Sequence, residues 1–300
     1  RVAPLVATSL AACGGARLGV APAVAARLEA ALFENVAARE LLALRLAEVL
    51  AAFAARGLEA LLVKGAALEA VVEERPWLTV ARDLDLVLRP GPAAPPGESA
   101  RDLRRALYPE GIECDWLAHH DVTMNGVLAI DFERIWARAR LVRWRGLELR
   151  LPAAEDRLLA LAVAVSRKRY ARLKGLYDLA EAIAAGDAAG EWAIDGGELA
   201  ARAAEGAAEG VLYTALRAVE AMIDTPPPAG TLAALPLGRG RRRALDALLS
   251  TFLRRGSFVR RRGGGLALLL AYGCLRPGQA WRALGVGLRR RRRTETEAAA

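Results

Sequence analysis

Histidine is almost missing from this chain: His119 and His120 are the only two in 300 residues. A metal centre built on imidazoles is therefore excluded. Cysteine is nearly as scarce. Cys13, Cys114 and Cys274 are odd in number, far apart and free of any C-x-x-C pairing, which argues against a disulfide framework or a zinc site and for a reducing, cytoplasmic setting. Cys114 with the two nearby histidines reads as a strand or hairpin with polar tips, since a thiol–imidazole pair is set by the fold and not by adjacency. Aromatic residues make up 5% of the chain, and Ala, Leu and Arg take their place, which favours helices. Nowhere is there the long uncharged apolar run of a membrane span; Gly263 to Leu275 is apolar but too short.

What is present is concentrated between residues 58 and 133. Leu58 to Val63 is a short apolar run suited to a buried strand. Lys64-Gly65 breaks it, and Ala66 to Glu74 has the Ala, Leu and Glu content of a helix. The start of such a helix offers backbone N–H groups and the positive end of a dipole, a natural cradle for phosphate, and Gly65 lets a phosphate come close. Asp83-Leu84-Asp85-Leu86-Val87-Leu88 follows as a second strand. Side chains alternate along a strand, so Asp83 and Asp85 share one face. Two neighbouring carboxylates ask for a cation between them, and Mg²⁺ favours a few carboxylates together with substrate phosphates. Gly126 to Glu133 alternates in the same way and places Asp131 on a polar face, a third carboxylate suited to two-metal phosphoryl transfer.

These residues resemble a known family. K-G-A-A-L at Lys64 to Leu68, D-L-D-L-V at Asp83 to Val87 and I-D-F-E-R-I-W at Ile130 to Trp136 are similar to the nucleotidyltransferase superfamily typified by DNA polymerase β. Within it they look most like the bacterial uncharacterised nucleotidyltransferase-family proteins, which are often associated with biosynthetic gene clusters. The resemblance covers about residues 45 to 185 and continues through the Leu-Pro-Ala-Ala-Glu-Asp-Arg segment from Leu151 and Arg172-Leu-Lys-Gly-Leu-Tyr-Asp-Leu-Ala. It implies an α+β fold with a small mixed sheet flanked by helices. It also implies Mg²⁺, or Mn²⁺ in its place, held by Asp83, Asp85 and Asp131, with Asp131 as the base. The triphosphate of an NTP would lie on Lys64, Gly65 and Ala66, and the acceptor would be a small molecule, sugar, peptide or tRNA. The chain departs from the superfamily at Ala66, where Ser usually contacts phosphate, and at Thr79, where relatives often carry Arg.

The rest of the chain divides by pattern. Residues 1–45 read as an N-terminal helical region, 46–151 as the catalytic core, 152–225 as a helical domain and 226–300 as a basic, partly helical region. Lys168 and Arg172 are four apart in a segment read as helical, where they would share a face and meet an anionic substrate. The net charge is +9, and its late clusters include the run Arg289 to Arg293. Such clusters can touch a polyanion weakly through phosphates, although no aromatics interleave them to stack bases. Three readings stay open: nucleotidyl transfer to a small acceptor, a toxin-type transfer to tRNA, and a non-catalytic binding or scaffold protein that keeps the fold.

Overall fold

The computed structural model describes residues 6–8, 19–72, 84–90, 114–115, 123–124, 126–170, 172–187, 190, 192–254, 274–276 and 278–280. Two compact units emerge, one formed by residues 1–118 and 139–152, the other by residues 119–138 and 153–300.

The first unit opens with helix α1, Pro22–Ala54. Pro22 sits in its first turn, where the missing N–H costs nothing. Asn35, Arg39, Leu42, Leu46, Val49 and Phe53 are its buried residues. Their alternating steps of four and three trace one narrow stripe, and Phe33, Leu41 and Leu44 stand exposed beside it. Arg56 Nη1 donates to the Ala52 carbonyl at 3.1 Å, satisfying part of the helix end. Gly57 (φ +65°) takes the left-handed conformation and turns the chain into strand β1, Leu58–Val63.

Helix α2 (Lys64–Val71) follows at once, then strands β2 (Leu84–Pro90) and β3 (Cys114–Asp115). The sheet order is β1-β2-β3. The first pair is antiparallel and the second parallel, so the sheet is small and mixed. Leu84 to Val87 are all buried, which makes β2 a strand covered on both faces, not one with a wet and a dry side. Strands β4 (Arg140–Trp144) and β5 (Leu147–Leu151) form a separate antiparallel hairpin that packs on β1. Its two-residue loop, Arg145-Gly146, has both φ angles positive (+49° and +78°), the type I′ geometry that matches strand twist.

The second unit is helical. Helix α3 (Phe132–Arg138) leads to α4 (Ala154–Arg167), α5 (Leu173–Asp187), α6 (Gly196–Glu205), α7 (Glu209–Ile223), the short α8 (Thr231–Ala234) and α9 (Arg239–Arg254). Buried residues lie all around α4, which packs against α5, α6 and α7. The stretch from Glu198 to Ile223 is divided between two helices, α6 and α7. The break falls at Gly206-Ala207-Ala208, where Ala207 has φ +52°. Gly206 gives its carbonyl to Ala129 N at 2.9 Å, and Gln279 Nε2 donates to Ala207 O at 2.9 Å and Val127 O at 3.3 Å. Tertiary partners thus satisfy the interrupted backbone.

The α+β class with a helical C-terminal region is as the sequence predicts. Asp83, Thr79, the helix expected over Ser99 to Leu107, both histidines and the run Arg289 to Arg293 lie outside the described residues.

Candidate functional site

The join between β1 and α2 is the sharpest local feature of the first unit. Val63 is extended (φ −128°, ψ 170°), and Lys64 reverses into the left-handed region at φ +58°. The conformation costs a non-glycine residue about 1–2 kcal/mol, and such departures gather at functional sites. The sequence places the conformational freedom at Gly65, whereas the structure gives the left-handed position to Lys64. Gly65 is instead the half-buried first-turn residue of α2, next to buried Ala66.

Register explains where the lysine goes. Val63 pairs with Asp85 across β1 and β2, so the next side chain folds back over that aspartate. Lys64 Nζ lies 2.6 Å from Asp85 Oδ1, and both residues are buried. The structure therefore brings together Lys64, Gly65, Ala66 and Asp85, four of the residues singled out in the sequence. Asp83, the other half of the D-x-D pair, is outside the described residues. Two further ion pairs tie the elements of this unit together. Arg39 of α1 meets Glu69 of α2 at 3.1 Å with both side chains 2% exposed. Arg89 Nε donates to Glu59 at 2.7 Å between register partners of β2 and β1. The backbone register also sets Asp115 of β3 opposite Asp85, a relationship that only strand pairing reveals.

Asp85 suits Mg²⁺ by its donor type: it is a hard oxygen ligand already facing a cation, the lysine ammonium. Among the described residues no three His, Cys, Asp or Glu side chains cluster as a metal cage. Asp85 together with substrate phosphate oxygens would supply part of the mixed shell that Mg²⁺ favours.

Asp131 belongs to the second unit, and its segment is not the expected strand. Leu128 N bonds back to Thr123 O at 2.9 Å in a turn, and α3 begins at Phe132. The alternation of Leu128, Ile130 and Phe132 is overridden by a capping signal: the Asp131 carboxylate accepts from Glu133 N at 2.9 Å, and Ile135 N bonds to Asp131 O. Ile135 and Trp136 supply the buried side of the helix that follows. Asp131 itself is exposed, with Arg134 Nε 3.7 Å away.

A cavity of about 320 Å³ opens beside Asp131, bounded by α3, α4 and α6. Arg138 sends a two-pronged hydrogen bond to Asp156, Nε to Oδ2 and Nη2 to Oδ1, each 2.9 Å. Those bonds raise the Arg138 pKa further above its ordinary value, outweighing burial. Arg202 joins the same carboxylate at 2.9 Å and reaches Glu155 at 3.0 Å and Glu198 at 2.9 Å. At the rim Arg134 Nη1 meets Glu205 at 2.9 Å. The sequence reading missed this cluster. The signal for it is the charged triplet Glu155-Asp156-Arg157 at the head of an otherwise apolar helix.

Lys168 and Arg172 do not share a helical face. Helix α4 ends at Arg167, Lys168 is its C-cap, Arg169 and Tyr170 have positive φ, and α5 starts at Leu173. Both side chains are exposed in the connection between the two helices.

Comparison with known proteins gives one kind of match. A family model described as "Uncharacterised nucleotidyltransferase" matches residues 1–96 and 104–224. No curated protein and no solved structure matches the chain.

Proposed function

The chain belongs to the uncharacterised nucleotidyltransferase family, and from that premise we propose a Mg²⁺-dependent enzyme that moves a nucleoside monophosphate from an NTP to an acceptor hydroxyl, as a step in a biosynthetic pathway. The observation that carries this reading is the Lys64–Asp85 pair at the head of α2, a cation and a carboxylate held together beside a strand-to-helix turn.

The chemistry balances as a single displacement. The acceptor oxygen forms a bond to the α-phosphorus, the bond from that phosphorus to the bridging oxygen breaks, and pyrophosphate leaves. The hydroxyl proton passes to Asp131, the base implied by the resemblance. Lys64 and the backbone N–H groups at the start of α2 hold the triphosphate, the latter standing in for the serine that Ala66 replaces. Asp83, Asp85 and Asp131 are the proposed ligands of Mg²⁺, with Mn²⁺ as a substitute. When bound, the ion neutralises charge on the phosphates and the leaving group. Exposed Lys168 and Arg172 offer their charge to an anionic substrate from a loop.

The test is incubation with Mg²⁺, each α-³²P-labelled NTP and a panel of hydroxyl-bearing small molecules, sugars, peptides and tRNA. The reading expects labelled acceptor and pyrophosphate, both lost in Asp85→Asn. Full activity in that variant, or no pyrophosphate from any NTP, would overturn it.

A further inference from the structure

We propose that the cavity beside Asp131 is the acceptor site, and that the acceptor is a small zwitterion bearing a hydroxyl, of the amino-acid or short-peptide class. This rests on the nucleotidyltransferase reading for the word acceptor; the pocket's ligand class rests on the pocket alone.

Among the described residues the lining has a balanced charge. Three arginines, Arg134, Arg138 and Arg202, face three carboxylates, Asp131, Asp156 and Glu205. In the deep part Asp156 is 2% exposed and already bound by two guanidinium groups, so it is spoken for. The rim differs. Arg134, Asp131 and Glu205 have side chains 59%, 55% and 52% exposed, and water still solvates them. Arg134 and Glu205 already pair at 2.9 Å; a ligand that enters displaces the water on their remaining N–H groups and lone pairs, and these then need partners of both kinds. An uncharged ligand would leave both signs poorly solvated, and a simple anion or cation would satisfy only one. A zwitterion satisfies both, with its carboxylate on guanidinium N–H groups and its ammonium on Glu205, which leaves Asp131 free for the hydroxyl.

Spare capacity is available for this exchange. Arg138 commits Nε and Nη2 to Asp156, and among the described residues its Nη1 has no protein partner. Arg134 and Arg138 are one turn apart on α3, so they can grip one carboxylate together. Buried Ile135 and Leu159 give the cavity an apolar wall for a short aliphatic body. Among the described residues no aromatic side chain lines it, so these offer no platform for a nucleobase. That favours the acceptor over the NTP as its occupant. The volume is at the lower end of the range for small-molecule sites, roughly 300–1,000 Å³.

Calorimetry on the full chain without nucleotide tests this. The probes are L-threonine and seryl-glycine as zwitterions, N-acetyl-L-serinamide as an uncharged hydroxyl compound, glucose as a polyol and inorganic phosphate as an anion. The zwitterions should bind saturably, and the other three should not. Arg134→Gln and Glu205→Gln should each weaken zwitterion binding by about tenfold or more, with the melting temperature of these exposed-site variants little changed. Failure of both zwitterions to bind overturns the proposal, as does binding of glucose or phosphate in their place or binding indifferent to both variants. A parallel titration with Mg²⁺ and each NTP separates the two readings. Nucleotide bound with zwitterions refused removes this inference and leaves nucleotidyl transfer standing. Zwitterions bound with every NTP refused supports the pocket and removes the transferase reading.

Discussion

Lys64 Nζ sits 2.6 Å from Asp85 Oδ1, with side chains only 11% and 10% exposed. The lysine neutralises one oxygen of the carboxylate that Asp85 would offer a metal. In the proposed chemistry it moves from that oxygen toward a phosphate.

Removing one partner of a buried pair takes from the other charge its close counter-ion at 2.6 Å. Lys64→Met should cost about 3–5 kcal/mol, read as a lower urea midpoint. Lys64→Met with Asp85→Leu should recover most of that loss, because both charges of the pair then leave together. Equal stability of the single variant and the parent would show that the pair does not hold the turn.

Helix α6 depends on its cap. Asp195 accepts from Glu198 N at 2.9 Å and is the N-cap residue. Asp195→Ala should lower stability by about 1 kcal/mol, measured by chemical denaturation. Asp195→Asn or Asp195→Ser should restore most of it, since either side chain still accepts the bond.

A glycine fixes the approach of α7 to the Cys274 segment. A Cβ on Gly210 would lie 2.1 Å from the Cys274 carbonyl oxygen, a backbone atom. The same oxygen accepts from Arg241 Nη2 at 3.1 Å. Gly210→Ala should therefore destabilise by about 1–3 kcal/mol as an overpacked contact, although alanine is the better helix former. A neutral or stabilising result in thermal denaturation would show that the contact yields freely.

Alkaline pH provides a test of the same region. Burial pushes the Cys274 thiol up, and burial pushes the Tyr170 phenol well up, with Cys274 beside it as the next cause. Both groups are held neutral in the folded chain and ionise more easily once unfolded. Their contribution to stability is therefore complete at neutral pH and declines as pH rises past the ordinary thiol value of about 8.5. Urea midpoints should fall between neutral pH and pH of about 10, and less steeply in Cys274→Ala. An identical slope in both proteins would contradict this.

The sequence made the strand–turn–helix–strand core legible because its signals are local: an apolar run, a break at Lys64-Gly65 and a D-x-D strand. It could not show that Lys64 bends over Asp85, because that follows from the register of β1 on β2. Asp131 was misplaced onto a strand for a related reason. Three alternating apolar residues mimic a strand over a short window, and the Asp131 side chain capping α3 outweighs them. Lys168 and Arg172 have helical spacing, but the helix stops at Arg167 before they can share a face. The ion-pair cavity was hidden because Arg134, Asp156 and Arg202 come from three separated segments.

The most direct test of the central claim is a crystal structure with Mg²⁺ and a non-hydrolysable NTP. The account predicts triphosphate oxygens on the N–H groups at the start of α2, the ion on Asp83, Asp85 and Asp131, and Lys64 Nζ drawn from Asp85 toward a phosphate. A triphosphate bound elsewhere, with the 2.6 Å Lys64–Asp85 contact unbroken, would contradict it.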